Sequence, residues 1–382
     1  MIKPMLYAIK GGVLSLICGH VLLGSLALAD PLVNFAEPNT KHLLQSIKTQ
    51  QLNVIQLGDS HTAADVMTGA MRQTLQAELG NGGMGWGMPM YFTGQRLALY
   101  GYDHVNWQPI SSRTTSNENY TLGGLIAEPK ADGAVLTIKN KLQQQDAKDV
   151  MVNIRQGIGD APLQVVDAQG KRTQIATLKQ NNQWEQVKLN KLQLPFTVTA
   201  LHSPQTALGG WWITNSTPGA VVSAIGINGA QLKHLSRWNS AWGKALFDDH
   251  PDLVVLAYGT NEVYNKQDVS EEKQILISYI QQIRQFVPDS AILIVSAPEI
   301  LINTQGQCGT RPETLDAFQA MQRDVAQQQH TLFWDWQAAM GGSCKMKAWM
   351  KSGLAAKDGI HFSPQGYQQL GEQLANALLS LK

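Results

Sequence analysis

The sequence has little charge of either sign. Only 15% of its 382 residues are Asp, Glu, Lys or Arg, and they nearly cancel to a formal net charge of +1. A nearly neutral chain has no broad electrostatic attraction for polyanions, so we expect no nucleic-acid partner. Long apolar runs are also missing beyond the N-terminus, which excludes a membrane-spanning helix in the body of the chain.

The N-terminus differs from the rest of the chain. Lys3 and Lys10 precede an uncharged, mostly apolar run over residues 11–26, and the small-x-small sequence Ala27-Leu28-Ala29 follows it. A basic region, an apolar region and such a cleavage site are typical of a secretory signal peptide. We predict that residues 1–29 are a signal peptide and that the mature protein is exported; a retained membrane anchor is the alternative.

Cysteine is scarce, with three residues in all. Cys18 lies in the predicted signal peptide, which leaves Cys308 and Cys344 as a pair in a compartment that permits disulfides. Their spacing fits no metal-binding pattern, so we expect no metal site. We predict a disulfide between them, and two unpaired buried thiols are the alternative.

A glycine-rich stretch, GNGGMG over residues 80–85, happens to spell GxGxxG. A dinucleotide-binding loop of this form follows a strand and opens a helix. This stretch follows a helical pattern and runs into Pro89, so it predicts no nucleotide cofactor. We expect the protein to work without any cofactor.

The pattern of hydrophobic residues divides the mature chain into three parts. Residues 30–97 and 219–382 alternate between buried strands and amphipathic helices, which predicts an α/β domain with a parallel sheet flanked by helices. Residues 98–218 contain only short alternating runs separated by turn residues, which predicts an inserted all-β sandwich. Trp211 and Trp212 lie in this part, and at most one of them can face a ligand because neighbours in a strand point to opposite sides.

Three short motifs lie where predicted strands end or a helix begins: GDSHT at residues 58–62, GTNE at residues 259–262 and DGIH at residues 358–361. In an open parallel sheet, active sites form outside the carboxyl ends of the strands. Ser60 is therefore a candidate nucleophile, with His361 as its base and Asp358 as the partner of the histidine. A serine in this position is more often only a helix cap.

An acyl-transfer site also needs hydrogen-bond donors for the developing oxyanion. The Ser60 N–H and the Asn261 side-chain amide are two candidates, and the Gly229 N–H in the sequence GINGA is a third. Asp59 and His61 flank the serine, and we interpret them as residues that position it.

The same motifs carry a family resemblance. GDSHT, GINGA, GTNE and DGIHF match the four blocks of the SGNH (GDSL) hydrolases. The longer strings GTNEVYN, CGTRPE, FWDWQAAMGG and AAKDGIHFSPQGY resemble the periplasmic peptidoglycan O-acetylesterases of that family, and the insert looks like a family 35 carbohydrate-binding module.

The resemblance implies Ser60, His361 and Asp358 as catalytic triad, and Ser60, Gly229 and Asn261 as oxyanion hole. It implies a periplasmic esterase acting on O-acetylated peptidoglycan glycan strands, at the C6 hydroxyl of N-acetylmuramic acid. We expect a monomer. The alternatives are an esterase of another acylated polysaccharide or of long-chain acyl lipids, and a glycan-binding protein with an inactive hydrolase half.

Overall fold

The computed structural model describes residues 31–144 and 146–381. The predicted signal peptide and Cys18 lie outside these residues. In the part of the chain that is described, no helix has the length and apolar character needed to cross a membrane.

Strands and short or medium helices follow one another along the chain. The strands are β1 Leu32–Asn34, β2 Asn53–Gly58, β3 Gly83–Gly87, β4 Tyr100–Val105, β5 Trp107–Ser111, β6 Leu125–Pro129, β7 Ala134–Asn140, β8 Lys148–Arg155, β9 Leu163–Val166, β10 Arg172–Ile175, β11 Trp184–Leu192, β12 Phe196–Ala200, β13 Ala207–Thr214, β14 Val221–Gly226, β15 Leu253–Ala257, β16 Ala291–Val295 and β17 Leu332–Trp334. The α-helices are α1 Thr40–Lys48, α2 Ser60–Ala63, α3 Met67–Leu79, α4 Ala241–Asp248, α5 Thr260–Tyr264, α6 Val269–Phe286, α7 Leu315–Gln328, α8 Trp336–Ala339, α9 Met346–Lys351 and α10 Pro364–Leu379, and a 3₁₀ helix spans Leu232–Arg237.

The α/β part is built on one six-stranded sheet with the order β1-β17-β16-β15-β2-β14. All residues of β15 and β16 are buried, as expected for strands covered by helices on both faces. The predicted α/β fold is confirmed, with one departure from a purely parallel sheet. Strand β1 runs antiparallel to β17 at the edge of the sheet. It has only three residues, which is too few to show a hydrophobic pattern in the sequence.

The β-rich part consists of two antiparallel sheets. One has the order β10-β9-β12-β7-β4, and the other has the order β11-β8-β13-β6-β5. Phe196 of the first sheet and Trp211 of the second contact each other edge to face, with ring centroids 5.3 Å apart. The two sheets therefore pack face to face, as the alternating sequence pattern predicts.

The glycine-rich stretch over residues 80–85, which resembles a nucleotide-binding loop, leads into strand β3. This strand joins the two parts of the molecule. It pairs with β13 of the insert, and the Trp86 N–H donates a hydrogen bond to the Ser223 hydroxyl in β14. At Gly83, φ is +129° and a Cβ would lie 2.5 Å from the Thr214 Cα, so only glycine lets the strands approach. The boundary at residue 98 stays a prediction, because β3 belongs to the same pairing network as the insert.

Both tryptophans of β13 are buried. Trp211 is 0% and Trp212 2% exposed, and the Trp211 indole N–H donates to the Pro89 carbonyl at 3.0 Å. Both side chains therefore belong to the hydrophobic core, and whether the insert binds a glycan stays open.

Candidate active site

Ser60 is the first residue of helix α2, directly after the turn that ends β2. The turn is tight: a Cβ on Gly58 would lie 2.8 Å from the Ala257 carbonyl oxygen. Asp59 caps the helix, since its carboxylate accepts the His61 N–H at 2.9 Å. Ser60 is therefore not the helix cap, and its hydroxyl is free for another partner.

That partner is His361. The Ser60 Oγ lies 2.9 Å from the His361 Nε2, and the His361 Nδ1 lies 2.7 Å from the Asp358 Oδ2. A carboxylate only accepts hydrogen bonds, so Nδ1 carries the proton and the neutral ring presents Nε2 as acceptor to the serine. The three side chains predicted from separate motifs thus form one hydrogen-bonded chain.

Asp358 is kept ionised by its contacts. Partial burial opposes ionisation, but hydrogen bonds from the His361 side chain and from the N–H groups of Ile360 and His361 outweigh it and lower the pKa of Asp358. The side chains of His361 and Asp358 are 40% and 46% exposed. The base therefore lies at the surface, where a substrate can reach it.

The three proposed oxyanion donors lie in segments that follow strands β2, β14 and β15: Ser60 begins α2, Gly229 is in the loop after β14, and Asn261 is in the first turn of α5. The Ile227 N–H donates to the Gly58 carbonyl, which joins the loop of Gly229 to the turn before Ser60. The Asn261 Nδ2 donates to the Ala230 carbonyl at 2.9 Å and makes only a long contact of 3.4 Å with Asp59. Within residues 31–144 and 146–381, the N–H groups of Ser60 and Gly229 have no hydrogen-bond acceptor.

Comparison with solved structures identifies the family. A solved peptidoglycan O-acetylesterase is 36% identical to this chain and superposes with a TM-score of 0.83, covering 92% of this chain and 99% of that one. This chain belongs to the peptidoglycan O-acetylesterase family. It matches the family model described as the N-terminal part of peptidoglycan O-acetylesterase over residues 82–197, and the GDSL-like lipase/acylhydrolase model over residues 199–369.

Other solved structures match less closely. A putative GDSL-like lipase from Parabacteroides merdae is 17% identical with a TM-score of 0.35, covering 42% of this chain and 73% of that one. An acetyl xylan esterase is 16% identical with a TM-score of 0.33, covering 41% and 80%. No curated protein sequence matches the chain. Together with the family match, the GDSL domain makes the protein a carboxylic ester hydrolase.

Asp59 and His61 lie beneath the active site of this O-acetylesterase family member. Burial raises the pKa of Asp59 to about 6 and lowers that of His61 to about 3. The His61 Nδ1 lies 2.7 Å from the Tyr367 hydroxyl, and its ring centroid lies 5.2 Å from that of His361. A neutral His61 thus packs against the imidazole of His361, the candidate base, which agrees with the predicted positioning role.

Glu262 is a residue of the site that sequence reasoning passed over. Its buried carboxyl group accepts the Leu232 N–H at 2.7 Å and the Gly259 N–H at 3.0 Å, so it joins the loop after β14 to the loop after β15. Burial raises its pKa to about 8. The sequence feature that could have identified Glu262 is its position at the end of the GTNE motif.

The predicted disulfide between Cys308 and Cys344 is present. Nearby, the buried Glu299 accepts the N–H groups of Cys344 and Lys345, another contact that the sequence did not reveal. No group of three His, Cys, Asp or Glu side chains in the described ranges is arranged to hold a metal ion.

Proposed function

We propose that the protein is a serine esterase of the periplasm that removes O-acetyl groups from the C6 hydroxyl of N-acetylmuramic acid in peptidoglycan. The observation that carries this proposal is the hydrogen-bonded chain Ser60–His361–Asp358 at the surface edge of the sheet, in a member of the peptidoglycan O-acetylesterase family. The resemblance supports the choice of hydroxyl. The acetyl ester there blocks the oxygen that lytic transglycosylases need to form a 1,6-anhydro ring.

The first half-reaction transfers the acetyl group to the enzyme. The neutral His361 Nε2 takes the proton of the Ser60 hydroxyl while Oγ attacks the acetyl carbonyl carbon. The resulting oxyanion accepts hydrogen bonds from the N–H groups of Ser60 and Gly229 and from the Asn261 amide. His361 then gives its proton to the departing C6 oxygen, which leaves an acetyl ester on Ser60.

The second half-reaction repeats these steps with water. His361 takes a proton from the water molecule that attacks the acetyl-enzyme, and acetate leaves as Ser60 regains its proton. Asp358 stabilises the imidazolium in both halves and holds the ring by its Nδ1–H.

The lipid-esterase alternative needs an extended apolar groove, and the stretch GGMGWGMPM over residues 82–90 is a candidate to line one. Met84, Trp86, Met88 and Met90 of that stretch are all buried in the hydrophobic core. This burial favours a small acyl group over a long one.

The deciding experiment measures acetate release from purified O-acetylated sacculi. We expect the mature wild-type chain to release acetate and Ser60→Ala to fall to near background with an unchanged unfolding midpoint, while the exposed-serine control Ser380→Ala keeps full activity. Hydrolysis of acetyl and decanoyl p-nitrophenyl esters is compared in parallel. Wild-type turnover by Ser60→Ala, or a preference for the decanoyl ester, would contradict the proposal.

A further inference from the structure

An arginine from the inserted part lies against the proposed oxyanion hole. A Cβ placed on Gly229 would lie 2.7 Å from the Arg113 Nε and 2.9 Å from one of its terminal nitrogens. The Arg113 guanidinium therefore covers the free side of Gly229, directly beside one of the proposed oxyanion donors. The Arg113 side chain is exposed to solvent, so a bound substrate can reach its charge.

The backbone of this arginine is held in place by the α/β part. The Arg237 Nη1 donates to the carbonyl oxygens of Ser112 and Arg113 at 2.5 and 2.8 Å. The Trp238 indole N–H donates to the Ser112 hydroxyl at 3.2 Å. The position of Arg113 is thus built by contacts between the two parts of the molecule.

Arg113 belongs to a group of positive charges that lack acidic partners. Within residues 31–144 and 146–381, no carboxylate lies at ion-pair distance from Arg113, Lys233 or Arg237. The Lys233 ammonium donates to the neutral Gln267 side chain at 2.6 Å. Burial and the positive charges of Arg237, Lys233 and Arg113 lower the pKa of His234 to about 4, which agrees with a positive local field.

The carboxyl group of the nearby GTNE motif is already engaged. Glu262 is buried and directs its carboxyl oxygens at two backbone N–H groups. Among the described residues Arg113 makes no ion pair, so its guanidinium is available to an anion of the substrate.

We propose that Arg113 forms a binding subsite for a carboxylate of the substrate, next to the acetyl ester that is cleaved. The inference rests on the proposed function. A guanidinium binds a carboxylate through two parallel N–H···O bonds, which fixes orientation as well as adding affinity. Such a subsite would give the insert a role in hydrolysis, because it would select esters on an acidic glycan strand over neutral acetyl esters.

Peptidoglycan offers such a carboxylate in two places. The lactyl group on muramic acid ends in a carboxyl group, which is free or joined in an amide to a stem peptide, and stem peptides carry carboxylates of their own. Both sources present the same chemistry to Arg113. Strands treated with an amidase keep only the lactyl carboxylate, whereas untreated strands keep those of the stems, so the two are separable by experiment.

The test compares Arg113→Gln and Arg113→Lys with the wild type. The control is Arg172→Gln, which changes an exposed arginine on the edge strand β10 of the other sheet. Acetate release is measured on O-acetylated strands with stems, without stems, and after carbodiimide amidation of all carboxylates. Hydrolysis of p-nitrophenyl acetate is followed alone and with unacetylated strand fragments as competitive inhibitors.

We expect Arg113→Gln to raise KM on the acidic strands and the inhibition constant of acidic fragments about tenfold, the size of one charged hydrogen-bond contact at an exposed site. Arg113→Lys recovers part of this loss. Turnover of p-nitrophenyl acetate and of the amidated strands stays within about twofold of wild type, and Arg172→Gln changes nothing. The strand type on which the effect is larger identifies the carboxylate.

Two results would overturn the subsite. An equal loss on p-nitrophenyl acetate would make Arg113 part of the oxyanion hole, and equal KM values on amidated and acidic strands would remove its role in binding. If wild-type enzyme releases no acetate from any strand, the proposed function fails. The inhibition of p-nitrophenyl acetate hydrolysis by acidic and amidated fragments then still tests Arg113 independently.

Discussion

Removal of the disulfide between Cys308 and Cys344 should destabilise the protein by an amount that its loop length fixes. The two cysteines are 36 residues apart. Cross-linking a loop of that size lowers the entropy of the unfolded chain by about 13 cal/mol/K, or about 4 kcal/mol at 25 °C. The entropy of unfolding of a chain this long is about 0.7–0.8 kcal/mol/K, so the melting temperature should fall by about 5 °C.

The bridge also lies near a support of the active site. The segment over residues 296–308 connects β16 to Cys308. Within it, the Leu301 N–H donates a hydrogen bond to the Gly359 carbonyl at 2.8 Å. Gly359 lies between Asp358 and His361. Loss of the bridge frees one end of this segment, so we expect turnover to decrease while staying well above that of a variant without the nucleophile.

The assay is urea unfolding of the chain without residues 1–29 and of its Cys308→Ser/Cys344→Ser variant, each with and without reductant. Reductant should lower the midpoint of the wild type to that of the double variant and leave the double variant unchanged. Two titratable thiols in the oxidised native protein, or equal midpoints for both chains, would refute the reasoning.

Two further predictions concern the residues around Ser60. Burial raises the pKa of Asp59 in the native wild type from 3.8 to about 6, so between these pH values the native state binds more protons than the unfolded state. The free energy of unfolding of the wild type therefore falls as pH rises through this range, and Asp59→Asn, which does not titrate, removes this dependence. Wild type should therefore lose about 2 kcal/mol relative to Asp59→Asn between pH 4 and pH 7, measured by urea unfolding; a constant difference would exclude a raised pKa. Asn261→Ala should lower kcat for p-nitrophenyl acetate about 10²–10³-fold with little change in KM, and Asn265→Ala, at the end of the same helix, should not. Similar rates for both variants would remove Asn261 from the oxyanion hole.

Much of the site was predictable because its parts sit where secondary-structure elements begin or end. Strands β2 and β15 are mostly apolar and read as buried parallel strands, so the polar residues after them had to lie at the same edge of the sheet. His361 could be placed near that edge because the sequence marks the start of α10 so clearly, with Ser363 as cap and Pro364 at the first turn. The pairing of β1 was not predictable, since three residues carry no period.

Two contacts that the sequence did not reveal join segments far apart in the chain. Glu262 bonds the Leu232 backbone, and Arg113 lies on Gly229. Periodicity reports whether a residue is buried and on which face of its own element. It carries no information about which loop lies opposite, because that depends on how the sheets pack.

The sequence by itself determined which groups are candidates for the site: a serine, an imidazole, a carboxylate and an amide at the ends of elements of one domain. Only the tertiary structure decided which of two neighbouring polar residues caps α2. Asp59 reaches the His61 N–H, which leaves the Ser60 hydroxyl to His361. The physical reason is that a helix cap is a local hydrogen bond that either the Asp59 or the Ser60 side chain could make. The partner of Ser60, His361, lies 301 residues away in the chain and is brought beside it only by the tertiary fold.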